Sequence, residues 1–306
     1  MQWERNFGGS GEDAGYALQR TKDGGYIIVG ETYSFGNKSQ VYLIKTDASG
    51  YTQWERNLGG SEYDYGCSIL KTSDGGYIIA GSTFSFGNAS QVYLVKTDAT
   101  GKKQWQRNFG GSEGDFGAAI QKTSDGGYII VGTTSSFGIF SQVYLVKTDA
   151  TGKKQWEKDL GGSDSDAGGS ILKTSDGGYI IGGTTSSFGS DRQVYLVKTD
   201  ATGKKRWQRN FVGSESDLGV AIQKTSDGGY IIAGSTFSFG NASQVYLVKT
   251  DATGNKQWEN DLGRSDYDAG SAILKTSDGG YLIVGETHSF GNSNQVYVVK
   301  TDANGL

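Results

Sequence analysis

The chain contains one cysteine and one histidine in 306 residues, and each scarcity removes a class of chemistry. A lone Cys67 excludes an intrachain disulfide framework, leaves the redox compartment open and reads as a small buried residue. A lone His288, with no CxxC or HxxxH spacing, leaves zinc without a ligand set. No apolar run approaches the roughly 20 residues a membrane span needs. A net charge of -4 and a pI near 5.2 supply no clustered positive field for nucleic acid or an anionic membrane surface. Hydrophobic residues reach only 35%, and helical periodicity is absent throughout.

What the chain does have is self-similarity. Tryptophan falls at Trp3, Trp54, Trp105, Trp156, Trp207 and Trp258, a period of 51 residues, and six such periods make 306. At this period each copy buries its apolar faces only against its neighbours. The 50 glycines, with 18 tyrosines, 13 phenylalanines and 6 tryptophans, fit many short strands joined by tight turns.

Within a copy, a strand such as DAGYALQRT leads through the Asp23 turn, DGG, into GYIIVGETYS; Asp-Gly between strand-like runs marks a hairpin. A loop at Phe35 to Ser39 precedes QVYLIKTD, and DASG then turns into the Trp-bearing QWERNL. Each unit therefore reads as a four-stranded antiparallel meander, strands A to D. The expected fold is all-β, a six-bladed β-propeller forming one domain over residues 1–306. A stacked β-solenoid fits less well, because its coils are parallel. Gln2 to Phe7 read as a spare strand D, expected to complete the last blade and close the structure.

The copies agree at turn glycines and tryptophans. They differ before strand A and in the loop between B and C, where NKS, NAS, IFS, SDR, NAS and NSN stand; Val212 and Arg264 replace glycines of the GGS segment. Asp13, Asp64, Asp115, Asp166, Asp217 and Asp268 precede strand A in all six copies, with Glu62, Glu113, Asp164, Glu215 and Asp266 two residues earlier. They read as turn caps and, together, as an acidic rim able to hold Ca²⁺ or a basic partner. Lysines gather at the opposite strand ends. Arg5, Arg56, Arg107 and Arg209 read as solvated or salt-bridged residues of strands D. Departures from the repeat are the places to look for chemistry: Glu31 and Glu286 occur only in the first and last copies, and His288 stands where the others have Tyr33, Phe84, Ser135, Ser186 and Phe237.

The pattern W-x-R-N-x-G-G-S-x-x-D-x-G, then DGGYIIxG and VYLVKTD-x-x-G, resembles the bacterial and archaeal β-propeller repeats often called SBBP repeats, over essentially the whole chain. That family occurs in secreted or surface-attached proteins without a general activity, so the resemblance implies an extracellular or cell-surface location. Met1 runs directly into the repeat, so any export signal is expected to have been removed or never present. KTDATGKKQW, Lys96 to Trp105, also resembles a turn of quinoprotein propellers, but it departs from their motif by one residue between Asp98 and Thr100, which argues against a quinone cofactor. The near-identity of the copies fits either recent amplification or an engineered repeat.

The reading that follows is a non-enzymatic, monomeric scaffold or interaction module that presents variable loops on one face to a protein or glycan. A carbohydrate-binding propeller is the second reading. A hydrolase or lyase using Glu31, Glu286 or His288 is the third.

Overall fold

The computed structural model describes residues 3–189, 191–211, 213, 215–239, 242–264, 266–289 and 295–306. Val212 and the NSN loop at 292–294 lie outside them. Strands account for all the regular structure among the described residues, and the architecture is a β-propeller with six blades.

The chain divides into two compact units, residues 1–138 with 144–159, and residues 139–143 with 160–306. The first unit holds sheet β1 (Asp13–Arg20), β2 (Tyr26–Thr32), β3 (Gln40–Thr46) and β4 (Thr52–Leu58), and sheet β5 (Asp64–Lys71), β6 (Tyr77–Thr83), β7 (Gln91–Thr97) and β8 (Lys103–Phe109). Its third sheet is β9 (Asp115–Lys122), β10 (Tyr128–Thr134), β11 (Gln142–Thr148) and β12 (Lys154–Leu160). The second unit repeats the plan with β13 (Asp166–Lys173), β14 (Tyr179–Thr185), β15 (Gln193–Thr199) and β16 (Lys205–Phe211), then β17 (Asp217–Lys224), β18 (Tyr230–Thr236), β19 (Gln244–Thr250) and β20 (Lys256–Leu262). Its last sheet is β21 (Asp268–Lys275), β22 (Tyr281–Thr287) and β23 (Gln295–Thr301).

Among the described residues the last sheet has three strands, and the segment expected to complete it, Gln2 to Phe7, begins with a residue outside them. Residues 3–9 form no strand. Trp3 packs on Tyr26 of the first blade, with ring centroids 5.9 Å apart, and lies against Gly50; these are the contacts that Trp54 makes with Tyr77 and Gly101 one repeat later, so Trp3 holds the place of a strand-D tryptophan. The contact with Tyr26 spans a short stretch of chain and so costs little closure entropy.

Strand alternation explains the continuous apolar run of each strand B. On β6, Tyr77 and Ile79 join Val29, Val41 and Leu43 of the first blade, while Ile78 and Ala80 join Ile120 and Ile130 of the third. Both faces are buried, so the run need not alternate with polar residues. The hairpin between β5 and β6 closes on Gly75 at φ 85°, left-handed space that a side chain would strain. Under it, the Lys96 ammonium of β7 reaches the carboxylate of Asp74. The same pair recurs in every copy, at 2.5–2.8 Å in five of them and between Lys300 and Asp278 in the sixth.

Candidate functional site

Every A–B hairpin carries one extra residue in strand A. The register slips between Gly15 and Ala17, and at the equivalent points of the other five blades. The glycine before the bulge is a packing requirement: a Cβ on Gly66 would lie 2.5 Å from Val29 and 2.8 Å from Val41 of the preceding blade. The bulged residue has no partner in the ladder. It differs in all six copies: Tyr16, Cys67, Ala118, Gly169, Val220 and Ser271.

In the first unit the residues around this point are aromatic. Tyr33 and Tyr63 lie with centroids 6.4 Å apart, Tyr63 and Phe84 at 6.4 Å, Tyr65 and Phe84 at 6.3 Å, and Phe84 and Phe116 at 6.2 Å. Two of these contacts are edge-to-face, the arrangement ring quadrupoles favour. Tyr33, Phe84 and Phe116 nonetheless keep 37–43% of their surface in solvent. The Lys38 ammonium lies 4.5 Å from the centre of the Tyr63 ring and donates to its hydroxyl at 3.2 Å. That hydrogen bond holds the lysine's proton more tightly than usual.

Glu31 sits at the base of this group. It pairs with Ala14 across the hairpin, and one of its oxygens accepts the Tyr16 hydroxyl. Its other oxygen, Oε2, is buried without a hydrogen-bond partner. Burial, reinforced by the charge of Glu31, raises the titration of Tyr16 and pushes the Cys67 thiol up to about 11. In the second unit Glu286 holds the equivalent place beside Tyr267, whose ring meets His288 edge-on at 5.5 Å. The two sequence-unique glutamates therefore lie in different compact units, each with its own tyrosine.

The six aspartates sit at the start of each strand A, where the cap reading places them, and most are enclosed. Asp64, Asp115, Asp166, Asp217 and Asp268 are buried, and Asp13 is half-buried. Asp64 accepts from the Gly60 amide and the Ser85 hydroxyl, each at 2.8 Å, and from Thr83. The other copies repeat the serine and amide contacts, and Oδ1 of Asp115, Asp166 and Asp268 has no partner. Each carboxylate faces its own B–C turn, so the role seen is that of a cap. Among the described residues no group of three or more His, Cys, Asp or Glu side chains is arranged to hold a metal ion. The neighbouring acids Glu62, Glu113, Asp164, Glu215 and Asp266 are the exposed ones. Arg56, Arg107 and Arg209 lie 5.2–5.4 Å from the tryptophan two residues before them, stacked rather than salt-bridged. A crevice of about 320 Å³ lined by Lys45, Trp54, Lys71 and Tyr77 opens at the lysine-bearing strand ends; Lys45, Trp54 and Tyr77 recur identically in every copy, so it is a packing seam.

The comparisons agree with the fold. No known family's profile matches the chain. The regulatory protein FlaEY of Caulobacter vibrioides is 23% identical over 231 residues, covering 67% of this chain and 24% of its own length; the chain thus spans about a quarter of that relative. A protein of unknown function from Dyadobacter fermentans superposes with a TM-score of 0.61 at 10% identity, covering 96% of each chain. A puromycin hydrolase superposes at 0.55 and 14% identity over 94% of this chain and 44% of its own. At such identities the likeness is one of fold alone, and the fold carries both enzymes and proteins without known activity.

The aromatic group was missed in the sequence because its members come from three copies and several repeat offsets. The available signal was the bulge position, where six aligned copies share no residue.

Proposed function

We propose that the chain is a binding module whose working surface is the bulge end of its sheets, centred on the aromatic group of the first three blades. The observation that carries this reading is that these aromatics are unnecessary for the blade. The fourth blade has Ser165, Ala167, Gly169 and Ser186 where the second has Tyr63, Tyr65, Cys67 and Phe84, yet its hairpin keeps the same register and the same bulge. Large rings held partly in solvent without a folding role are the usual currency of recognition. A carbohydrate ligand is the second reading, favoured by the exposed faces of Tyr33 and Phe116.

The test exchanges residues between copies. Tyr63→Ser with Phe84→Ser installs what the fourth blade already carries, so the melting curve should stay within a few degrees of the parent. Wild type and variant are compared on immobilised glycan and peptide panels. The expected result is retention of a ligand by the wild type and its loss by the variant; equal retention by both would place binding elsewhere.

A further inference from the structure

We infer that this surface takes a basic peptide segment, with lysine or arginine side chains lying on the tyrosine and phenylalanine rings. The inference rests on the binding role proposed above and names its partner. Three observations converge on positive charge. First, the protein already seats one ammonium there: Lys38 lies 4.5 Å from the Tyr63 ring centre, in a loop where the next copy has Ala89. Ring faces carry negative quadrupole potential, so the neighbouring, partly exposed rings of Tyr33, Phe84 and Phe116 offer an incoming ammonium the same kind of seat.

Second, the carboxylate at the base of the group is half used. Tyr16 donates to one oxygen of Glu31, and Oε2 is buried without a donor. A buried acceptor left unpaired is costly, and an incoming N–H relieves that cost. Tyr16 is 52% exposed and sits on a bulge rather than in the ladder, so it can swing aside to admit one. Third, the exposed carboxylates of Glu12, Glu62 and Glu113 at the same strand ends outnumber the single ammonium of Lys38. A glycan would use the ring faces but gains nothing from this charge. A basic peptide uses both.

The probes are an alternating glycine–lysine peptide, its glycine–glutamine counterpart and a neutral maltooligosaccharide, titrated calorimetrically at low salt and at about 0.3 M, where the Debye length is well under 10 Å. The glycine–lysine peptide should bind and weaken several-fold with salt, while the glutamine peptide should not bind. Tyr63→Ser with Phe84→Ser should weaken it about fivefold or more, the loss expected from two exposed cation–π contacts. Phe237→Ser, the equivalent change in the other unit, should leave it unaltered. Equal binding of both peptides, or wild-type affinity in the double variant, overturns the inference. Binding of the oligosaccharide alone, lost in the double variant, overturns the basic-peptide assignment and leaves the binding role standing. Binding of none of the three, together with no ligand on the panels, sinks both.

Discussion

The Lys96 ammonium, 5% exposed, lies 2.8 Å from the Asp74 carboxylate at the tip of the neighbouring hairpin and donates to the Thr97 carbonyl at 2.8 Å. The repeat thereby ties strand C to the A–B turn with one charged cross-link per blade. The hydrogen bond from lysine, then that from the turn threonine, pulls Asp23, Asp125 and Asp227 down to about 2. A carboxylate depressed in the folded state contributes stability that is complete above its ordinary range and is lost as pH falls through the folded value. Urea midpoints should therefore be level from neutrality to about pH 5 and fall between about pH 4 and 2. A variant carrying Asp23→Asn, Asp125→Asn and Asp227→Asn should be less stable at pH 7 and show a shallower decline in that window. An unchanged slope would mean that these pairs do not link protons to folding.

The Trp54 ring leans on Tyr77 of the next blade at 6.1 Å, with the Arg56 guanidinium over it. Gly101, at φ 77°, passes so close that an added Cβ would lie 2.5 Å from the indole. Because Trp54 is only half-buried, Trp54→Ala should cost about 2–3 kcal/mol, below the loss for a fully enclosed ring. Gly101→Ala combines backbone strain with overlap and should cost about 2 kcal/mol. Trp3, 39% exposed, should be the mildest of the three to lose. Chemical denaturation reads all three, and a Trp3→Ala cost equal to that of Trp54→Ala would break the ranking.

Asp64 gathers the Gly60 amide and the Ser85 and Thr83 hydroxyls behind a fully buried carboxylate. Asp64→Ala strands those donors and should cost about 3 kcal/mol. Because the carboxylate already faces donors of its own blade, millimolar calcium is expected to leave the melting temperature unchanged. A rise of several degrees, abolished by Asp64→Asn, would place a metal on these caps instead.

Blade number, strand order, the DGG hairpins and the Trp-bearing strand were legible because each depends on local turn chemistry or on the 51-residue period. The Lys–Asp ties could have been read from the invariant DGG and KTD segments, but only the sheet shows that residues 22 apart face each other. The aspartates were legible as turn caps, but their spacing marks a strand end without saying how deep the side chain lies; Ser85 and its equivalents, two residues past strand B, draw each one inward. Tyr33, Tyr63, Phe84 and Phe116 become neighbours only through the stacking of three sheets, a relation that hydrophobic patterning within one repeat does not encode.

Cys67 gives a direct probe of the carboxylate beneath the aromatic group. Its thiol is pushed from 9.0 to about 11, chiefly by burial and then by Glu31. The thiolate is the reactive form, so at pH 8 the reactive fraction should be roughly a hundredfold below that of an unperturbed thiol, and alkylation by iodoacetamide correspondingly slow. Glu31→Thr installs the residue that Thr133 and Thr184 supply in other copies, removes the nearby negative charge and leaves the burial. The pH–rate profile of alkylation should then move to lower pH by a fraction of a unit while remaining above the free-thiol range, because the larger cause persists. A shift all the way to the free-thiol value would show that the substitution had opened the site. No shift would show that Glu31 and Cys67 do not sense each other, and would remove the carboxylate from the base of the group.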